Sequence, residues 1–378
     1  MIEFWQLPGS ARFLRGVADD LRAGCNVVLT FSEHSIDGWF NALCAELSDS
    51  LPGPQALVPD GSPPIVALQN HLGLQNASPR MSLPELCRLH AFGGKLIFLD
   101  FRTPGEWMPW QKFLLDYEDA CKQLSLTERT LFIAGLCGEV APLAPGPANL
   151  LHLHHLMGQV DGLDIRIHAA NLLSGTALPP WQRQLAVSLL VELALWDPEV
   201  CAIGSSLPLA DLIQPATWLT QLARDRGWTA ADDVKAPPAV WRGLTQPFEG
   251  DNRVHSAWLA MASRQEVLNQ RVWNGQVAAL FPILERHRRA LLKYHRALLR
   301  IPWQTTFGTI SRHEDLELNH IADQLRSLNS HGLRDTCDFV CWLRDIRNDL
   351  AHLSPVSAGD LLKPQFSARM SRCPAEDC

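Results

Sequence analysis

Three polar side chains near the end of the chain have types and spacing that could cleave a phosphodiester. Arg347, Asn348 and His352 lie in the stretch RDIRNDLAHL, residues 344–353. A histidine whose pKa lies near neutrality can take the proton of a ribose 2′-OH or protonate the departing 5′-oxygen. A guanidinium offers paired donors to phosphate oxygens on which charge grows, and Asn348 could orient the imidazole. The alternative is that these residues cap and pin a helical bundle.

A run of cations in LERHRRALLKYHRALLR could hold the backbone phosphates of RNA. The cations concerned are Arg286, Arg289, Lys293, Arg296 and Arg300. Spacings of three and four residues place them in one stripe along a helix, in a segment whose single acid is Glu285. The stripe could equally be a solvated helix face or a surface that docks an acidic protein.

Glu317 and His320 form a further candidate pair in the same part of the chain. They lie three residues apart in DLELNH, a spacing that places them on one face of a helix. They could support the site at His352, or they could only join two helices. The sequence leaves both possibilities open.

Three histidines, His152, His154 and His155, lie close together in LHLHHLMG. In a strand His152 and His154 share a face, whereas in a helix His152 and His155 do. Zinc needs one or two further ligands, and no cysteine or carboxylate stands nearby at a familiar spacing. We therefore expect structural or surface histidines and no metal site. In the following VDGLDIRIH, we expect Asp164 and Arg166 to make interior contacts.

The turn that follows the apolar run Asn26–Phe31 differs from a phosphate-binding loop. Such a loop needs glycines that expose backbone N–H groups, a lysine for the β- and γ-phosphates and a hydroxyl for Mg²⁺. The turn from Ser32 to Gly38 has one glycine, no lysine and two carboxylates. Downstream, LIFLDF carries Asp100, and no catalytic acid follows it. We expect no ATP hydrolysis, weak or absent nucleotide binding, and no cofactor.

The composition is that of a well-buried protein with a mildly acidic charge balance. Of 378 residues, 47% are hydrophobic and 19% are charged, and the formal net charge is −7. These values argue against a disordered chain and against a generally basic surface, so any nucleic-acid contact must come from a local patch. The ten cysteines form no CxxC pair and suit a reducing compartment. The N-terminus lacks a signal-peptide pattern and the richest apolar stretch, 185–196, is too short to cross a bilayer, so we expect a cytoplasmic protein without membrane contact.

The first half of the chain alternates predicted strands with predicted helices. Apolar runs predict strands at 26–31, in PPIVALQ, at 93–101 and at 129–136. A helix that carries Trp110, Phe113 and Tyr117 separates the last two. This alternation predicts a parallel α/β sheet covered on both faces.

The second half is predominantly helical in pattern. RGLTQPFEGDNRVHSAWLAM predicts a small β-turn wing that leads into a helix. Pro282 is expected to break or kink the chain between helices at 265–281 and 283–300. Further helices are predicted at about 315–327 and 333–352, and Pro355 should stop the last one.

Two family resemblances extend these interpretations. Residues 1–175 resemble the nucleotide-binding domain of AAA+ or STAND-type P-loop ATPases with a degenerate active site. Residues 263–365 resemble the HEPN superfamily, whose motif R-[N/D/H]-x-x-x-H stands on the last helix of a small bundle. Arg347, Asn348 and His352 match its fixed positions. The resemblance implies a metal-independent endoribonuclease site, commonly formed across a dimer, although many such domains serve only in dimerisation or docking.

The predicted organisation is an α/β parallel-sheet, P-loop-like domain at 1–175, a helical or winged-helix-like region at 176–262, an all-α HEPN-like bundle at 263–365 and a tail at 366–378. Such fusions resemble bacterial conflict proteins, in which a sensor or scaffold domain restrains an RNA-cutting effector. The expected function is a HEPN-type endoribonuclease of anti-phage defence, and the alternative is a non-catalytic adaptor in a multi-protein defence complex. The expected partners are RNA, other defence proteins, or a second copy bound through the bundle. Apolar Val340, Cys341 and Trp342 beside the motif favour such pairing.

Overall fold

The computed structural model describes residues 4–35, 37–74, 81–146, 148–306, 308–328 and 331–371. The chain divides into two compact units. The first, the sheet unit, comprises Met1–His168, Trp196–Pro198 and Ala231–His255; the second, the helical unit, comprises Ala169–Leu195, Glu199–Ala230 and Ser256–Cys378. The region 176–262 therefore contributes to both units.

The secondary structure of the described residues is as follows. The strands are β1 (Asn26–Phe31), β2 (Gln55–Leu57), β3 (Leu96–Phe101), β4 (Leu131–Cys137), β5 (Leu151–His155), β6 (Thr245–Phe248), β7 (Asp251–Val254), β8 (Trp303–Thr305) and β9 (Gly308–Ile310). The helices are α1 (Pro8–Arg22), α2 (Trp39–Leu47), α3 (Pro64–His71), α4 (Leu83–Cys87), α5 (Pro104–Cys121), α6 (Gly162–Leu172), α7 (Pro180–Ala194), α8 (Pro198–Ser205), α9 (Leu209–Ile213), α10 (Ala216–Asp225), α11 (Pro238–Trp241), α12 (Ser256–Met261), α13 (Gln265–Tyr294), α14 (Leu318–Ser327), α15 (Arg334–Ala351), α16 (Ala358–Leu361) and α17 (Pro364–Ser371). Short 3₁₀ helices lie at Phe4–Gln6, Gly138–Leu143, His313–Asp315 and His331–Leu333.

A parallel sheet of five strands, in the order β2-β3-β4-β1-β5, forms the centre of the sheet unit. Every residue of β1 is buried, and β4 is buried except at its last residue. Because successive side chains of a strand point to opposite faces, this continuous burial means that both faces of the sheet are covered. The predicted parallel α/β sheet is confirmed.

The aromatic face of α5 packs on the sheet as its sequence pattern predicts. Trp110, Phe113 and Tyr117 all lie against Phe132 of β4, with ring centroids 6.4, 5.7 and 5.3 Å away. The Tyr117 hydroxyl donates a hydrogen bond of 2.9 Å to the Thr130 carbonyl, which satisfies the polar end of a buried ring.

The prediction of a strand in PPIVALQ is wrong. Those residues begin α3, which has a proline in its first turn and buries Ala67 and Leu68. An apolar run bounded by prolines fits a short buried helix as well as a strand, so periodicity alone could not separate the two. The strand that pairs with β3 on the side away from β4 is the three-residue β2, which is too short to produce a pattern.

The helical unit contains two long helices, α7 and α13, that approach very closely. A Cβ added to Gly275 of α13 would lie 2.9 Å from the Leu189 Cα of α7, so glycine permits this approach. The predicted break at Pro282 is wrong, since α13 runs through it from Gln265 to Tyr294. Pro282 is exposed, and its buried neighbours Leu280 and Ile283 keep the helix packed on either side of it.

Helices α14 and α15 lie close to the positions that the sequence predicts. Helix α15 is amphipathic and buries Phe339, Leu343, Ile346 and Leu350. Residues 366–371 of the predicted tail belong to α17, and residues 372–378 lie outside the described part of the chain. Among the helices described, none is long and apolar enough to cross a membrane.

Candidate functional site

The three motif residues lie at the carboxyl end of α15. Asn348 and His352 are four residues apart and share one side of the last turn, whereas Arg347 is rotated from Asn348 by about 100°. Arg347 and Asn348 are half-buried, and His352, which follows the last helical residue, is exposed. The motif is therefore accessible to a ligand.

Arg347 is held by a carboxylate of the neighbouring helix. Its Nη2 lies 3.8 Å from Oε2 of Glu317, and the two side chains are 42% and 51% exposed. Glu317 also caps α14, whose His320 Nδ1 accepts the Glu317 backbone N–H at 3.1 Å. Of the predicted supporting pair, Glu317 thus reaches the motif, while His320 serves the cap of its own helix.

The backbone of His352 closes the helix and leaves its imidazole open to solvent. The His352 N–H donates to the carbonyls of Asn348 and Asp349 at 3.0 and 3.1 Å. Its ring makes no hydrogen bond to any residue that the structure describes. The next residue, Leu353, has a φ of 59°, and its side chain is 64% exposed. The end of α15 therefore presents a titratable group beside an apolar surface.

The apolar residues predicted to favour pairing are mostly used inside the bundle. Val340 is fully buried and Trp342 is 4% exposed, while Cys341 is half-buried and its Sγ accepts a hydrogen bond from Arg326 at 3.2 Å. Val340 and Trp342 pack inside their own unit, so they are not free to contact a second copy.

The predicted basic stripe is only partly helical. Arg286, Arg289, Lys293, Arg296 and Arg300 are all exposed. The helix ends at Tyr294, so the prediction of a single helical stripe is wrong for the last two cations. Two members bind carboxylates: Arg289 lies 3.0 Å from Glu285, and Arg296 lies 3.2 Å from Glu314.

A structural arginine beside the stripe was not predicted. Arg288 binds Glu285 at 2.8 Å and donates two hydrogen bonds of 2.9 Å to the Glu314 and Leu316 carbonyls. Its side chain is only 15% exposed. Arg288 does not belong to the predicted stripe, so the sequence pattern assigned no role to it. The carbonyls of Glu314 and Leu316 reach Arg288 only because the chain reverses direction after α13.

In the sheet unit, the first residues after β1 are hydrogen-bonded to other parts of the same unit. The Glu33 N–H donates to the Trp241 carbonyl at 2.7 Å, and the buried Gln246 side chain donates to the Ser32 hydroxyl at 3.4 Å. The Cys137 thiol donates to the Ser32 carbonyl at 3.3 Å. Ligands of open parallel sheets bind beyond the carboxyl ends of the strands. Here these backbone and side-chain groups already have partners, and Ile36 of the same turn lies outside the described residues.

The carboxylate of β3 also has a local partner. Oδ2 of Asp100 lies 3.0 Å from Nε of Arg102, two residues later. The neighbouring Gly135 of β4 faces Trp39, and a Cβ there would lie 3.1 Å from the indole ring. An indole thus stands next to Asp100, where the P-loop resemblance would require a phosphate and its metal ion.

The histidine cluster lies on a strand and shares a carboxylate that was not predicted. His152 Nδ1 and His154 Nε2 lie 2.8 and 2.7 Å from the same Oδ2 of Asp20, which belongs to α1. On the opposite face His155 lies 2.6 Å from the Thr30 hydroxyl. Although partial burial acts to raise the pKa of Asp20, the hydrogen bonds of the two imidazoles outweigh it and lower that pKa.

The cluster is a packed polar contact. Within the described ranges, no group of three or more histidine, cysteine or acidic side chains is arranged to hold a metal ion. Burial, followed by the charge of His154, lowers the pKa of His155. Asp20 lies more than a hundred residues away in sequence, so no local spacing could have indicated it.

Of Asp164 and Arg166, which were both predicted to make interior contacts, only Asp164 does so. Asp164 is fully buried and accepts the Gly9 N–H at 2.9 Å. Arg166 is exposed, so its predicted interior contact is wrong. Because Asp164 and Arg166 are two apart on α6, they point to different sides of the helix.

Comparison with known proteins assigns no family. Neither a search against protein-family models nor a search of curated proteins finds a match to this chain. What the residues do must therefore be inferred from their chemistry and geometry.

Proposed function

We propose that the end of α15 is a HEPN-type, metal-independent endoribonuclease site of a bacterial defence protein, restrained by an inactive ATPase-like domain. The observation that carries this proposal is the open position of the motif. His352 and Asn348 share one side of the last turn, where His352 is exposed and Asn348 is half-buried, and the half-buried Arg347 precedes Asn348 directly. Acid–base groups and a phosphate clamp are thus accessible together.

The chemistry assigns one role to each motif residue. His352 acts as the base that takes the 2′-OH proton, after which the 2′-oxygen attacks phosphorus and the bond to the 5′-oxygen breaks. The departing oxygen needs a proton from an acid. His320 is committed to its helix cap, so the motif of one chain offers His352 alone. The proposed active form therefore pairs two copies, whose second His352 supplies the acid.

Arg347 must exchange Glu317 for a phosphate if it is to act as the clamp. Both side chains are about half exposed, and an ion pair between exposed groups contributes roughly 0–1 kcal/mol. A guanidinium can bind the two non-bridging oxygens of a phosphodiester through two parallel donors, which is a stronger arrangement. Replacing Glu317 by a phosphate as the partner of Arg347 therefore costs little free energy. Until RNA binds, Glu317 would hold the guanidinium in place.

The test incubates purified full-length protein with total RNA in excess chelator, alone and with the products of neighbouring genes. We expect cleavage that persists in EDTA and leaves 2′,3′-cyclic phosphate ends. Light scattering should show self-association of the active form. A protein that cuts no RNA under any activating condition would contradict the proposal.

A second candidate function is a non-catalytic adaptor in a multi-protein defence complex. It is favoured by the carboxylates that already neutralise Arg289, Arg296 and Arg347. In this case both units serve as binding surfaces. The adaptor function predicts that His352→Ala retains full biological activity, whereas the ribonuclease function predicts that this variant loses it.

A further inference from the structure

The end of α13 carries an exposed aromatic ring in a stretch of sequence that is rich in cations. Tyr294 is 66% exposed, and its neighbours Lys293, Arg296 and Arg300 are exposed as well. Tyr294 follows the buried Leu291 by three residues and so continues the core-facing row of the helix. The ring is nevertheless open to solvent.

The loop that follows Tyr294 is held by partly buried polar contacts. The Arg300 N–H donates to Gln324 Oε1 at 2.6 Å, and Gln324 returns a hydrogen bond of 3.3 Å to the Arg300 carbonyl. His313 Nε2 donates to the Leu299 carbonyl at 3.0 Å. Gln324 is 2% exposed, so the anchor is shielded from water. A ligand of this surface would not have to order the backbone first.

The local charge at this surface is positive. Between Arg286 and Arg300 the sequence contains no aspartate or glutamate. Among the described residues no carboxylate pairs with the side chain of Lys293 or Arg300, and the Arg296–Glu314 pair is more than 60% exposed on both sides. Anions are therefore attracted here, and an exposed ion pair opposes them weakly.

We propose that Tyr294, with Lys293, Arg296 and Arg300, is a stacking site for unpaired bases of single-stranded RNA. The cations hold successive phosphates while a base stacks on the phenol ring. In a duplex the faces of the bases are covered by their neighbours, so an exposed aromatic ring selects single strands. The inference deepens the proposed function by naming its substrate class, but binding here does not depend on cleavage.

The experiment measures binding separately from cleavage. Full-length protein carrying His352→Ala is titrated into a labelled oligouridine strand of about a dozen nucleotides, which is long enough to span an ssRNA site. Parallel titrations use a blunt duplex and an abasic strand of the same length and charge. Fluorescence anisotropy gives Kd for each, at several salt concentrations.

We expect tighter binding of the oligouridine strand than of the duplex or the abasic strand. Tyr294→Ala should weaken binding of the oligouridine roughly 5- to 150-fold, the range for loss of one stacked base, and should leave the abasic strand unchanged. Tyr294→Phe, which keeps the ring, is the matched control and should bind like the parent. Lys293→Ala and Arg300→Ala should each reduce the salt dependence of all three ligands.

Equal binding of oligouridine by the Ala and parent proteins would overturn the stacking site. So would an equal loss on the oligouridine and abasic strands, or tighter binding of an acidic peptide with the same dependence on Tyr294. If Tyr294-dependent binding holds but the protein with an intact His352 cuts no RNA, the ribonuclease proposal fails and the stacking site stands. Because Tyr294 is exposed, thermal unfolding of its variants should match that of the parent.

Discussion

The turn after β1 and the end of α15 are both polar stretches that follow a buried apolar run, and they differ in how many of their polar groups have a partner within the fold. In the first, Ser32 and Glu33 bond to Trp241, Gln246 and Cys137 of the same unit. In the second, the His352 ring meets no described polar partner and lies exposed. Residue type and spacing can therefore suggest a site, but chemistry needs groups whose hydrogen-bonding capacity is still free.

Substitutions in the turn after β1 and at the end of α15 should have different consequences. At the closed turn a change should alter folding stability and leave activity per folded molecule intact. At the open motif a change should alter the chemistry and leave stability intact, since exposed side chains away from special features contribute little to it.

The largest expected effect is at the open motif. His352→Ala should lower the rate of RNA cleavage by about 10²–10⁴, the usual cost of losing a general acid or base. Its unfolding free energy should stay within about 0.5 kcal/mol of the parent value. His71→Ala, at another exposed histidine, is the matched control and should cleave normally. Equal rates for both variants would show that His352 has no catalytic role.

An intermediate effect is expected at the closed edge of the sheet. Gly138 follows β4 with a φ of 62°, and a Cβ there would lie 3.5 Å from Glu33. Gly138→Ala should lower the unfolding free energy by about 1–2 kcal/mol, the cost of a left-handed conformation for a residue with a side chain. Gly105→Ala, in open space in the first turn of α5, should be neutral or slightly stabilising. Denaturant unfolding measures both, and equal stability of the two variants would contradict the closed geometry.

Acid should destabilise the helical unit through the buried His287. Burial, with the nearby cations Arg286 and Arg369, lowers the pKa of His287. The unfolded chain then binds a proton at His287 from about pH 6.5, where the folded chain does not, so stability is complete above that pH and falls as the pH drops toward the folded pKa. His287→Gln should therefore lose less stability between about pH 7.5 and about pH 5 than the parent does. A loss of stability in His287→Gln equal to or greater than that of the parent would contradict this assignment.

The smallest expected effect is that of nucleotide on the sheet unit. The turn from Ser32 to Gly38 has no lysine, and its hydrogen-bonded groups already have partners. Mg·ATP should therefore leave the thermal unfolding midpoint unchanged, because a ligand stabilises only the state that it binds. Phosphate release should be absent. Hydrolysis that disappears in Asp100→Ala would show instead that the edge opens to bind nucleotide.

Several elements followed from the sequence because burial leaves a local pattern. The runs at β1, β3 and β4 are continuously apolar, and the parallel sheet was predicted from them. The strand β2 was missed because three residues carry no period. Helix α3 was mistaken for a strand because a short apolar run suits either structure.

The composition of each polar site was decided by the tertiary structure. The sequence by itself determined that Arg347, Asn348 and His352 stand together at a helix end, since helical spacing fixes neighbours within a few residues. It could not determine that Glu317 holds Arg347, that Asp20 joins His152 and His154, or that Gln246 closes on Ser32. Those partners come from distant elements, and only the packing of helices and strands brings their charges and hydrogen-bonding groups within reach of each other.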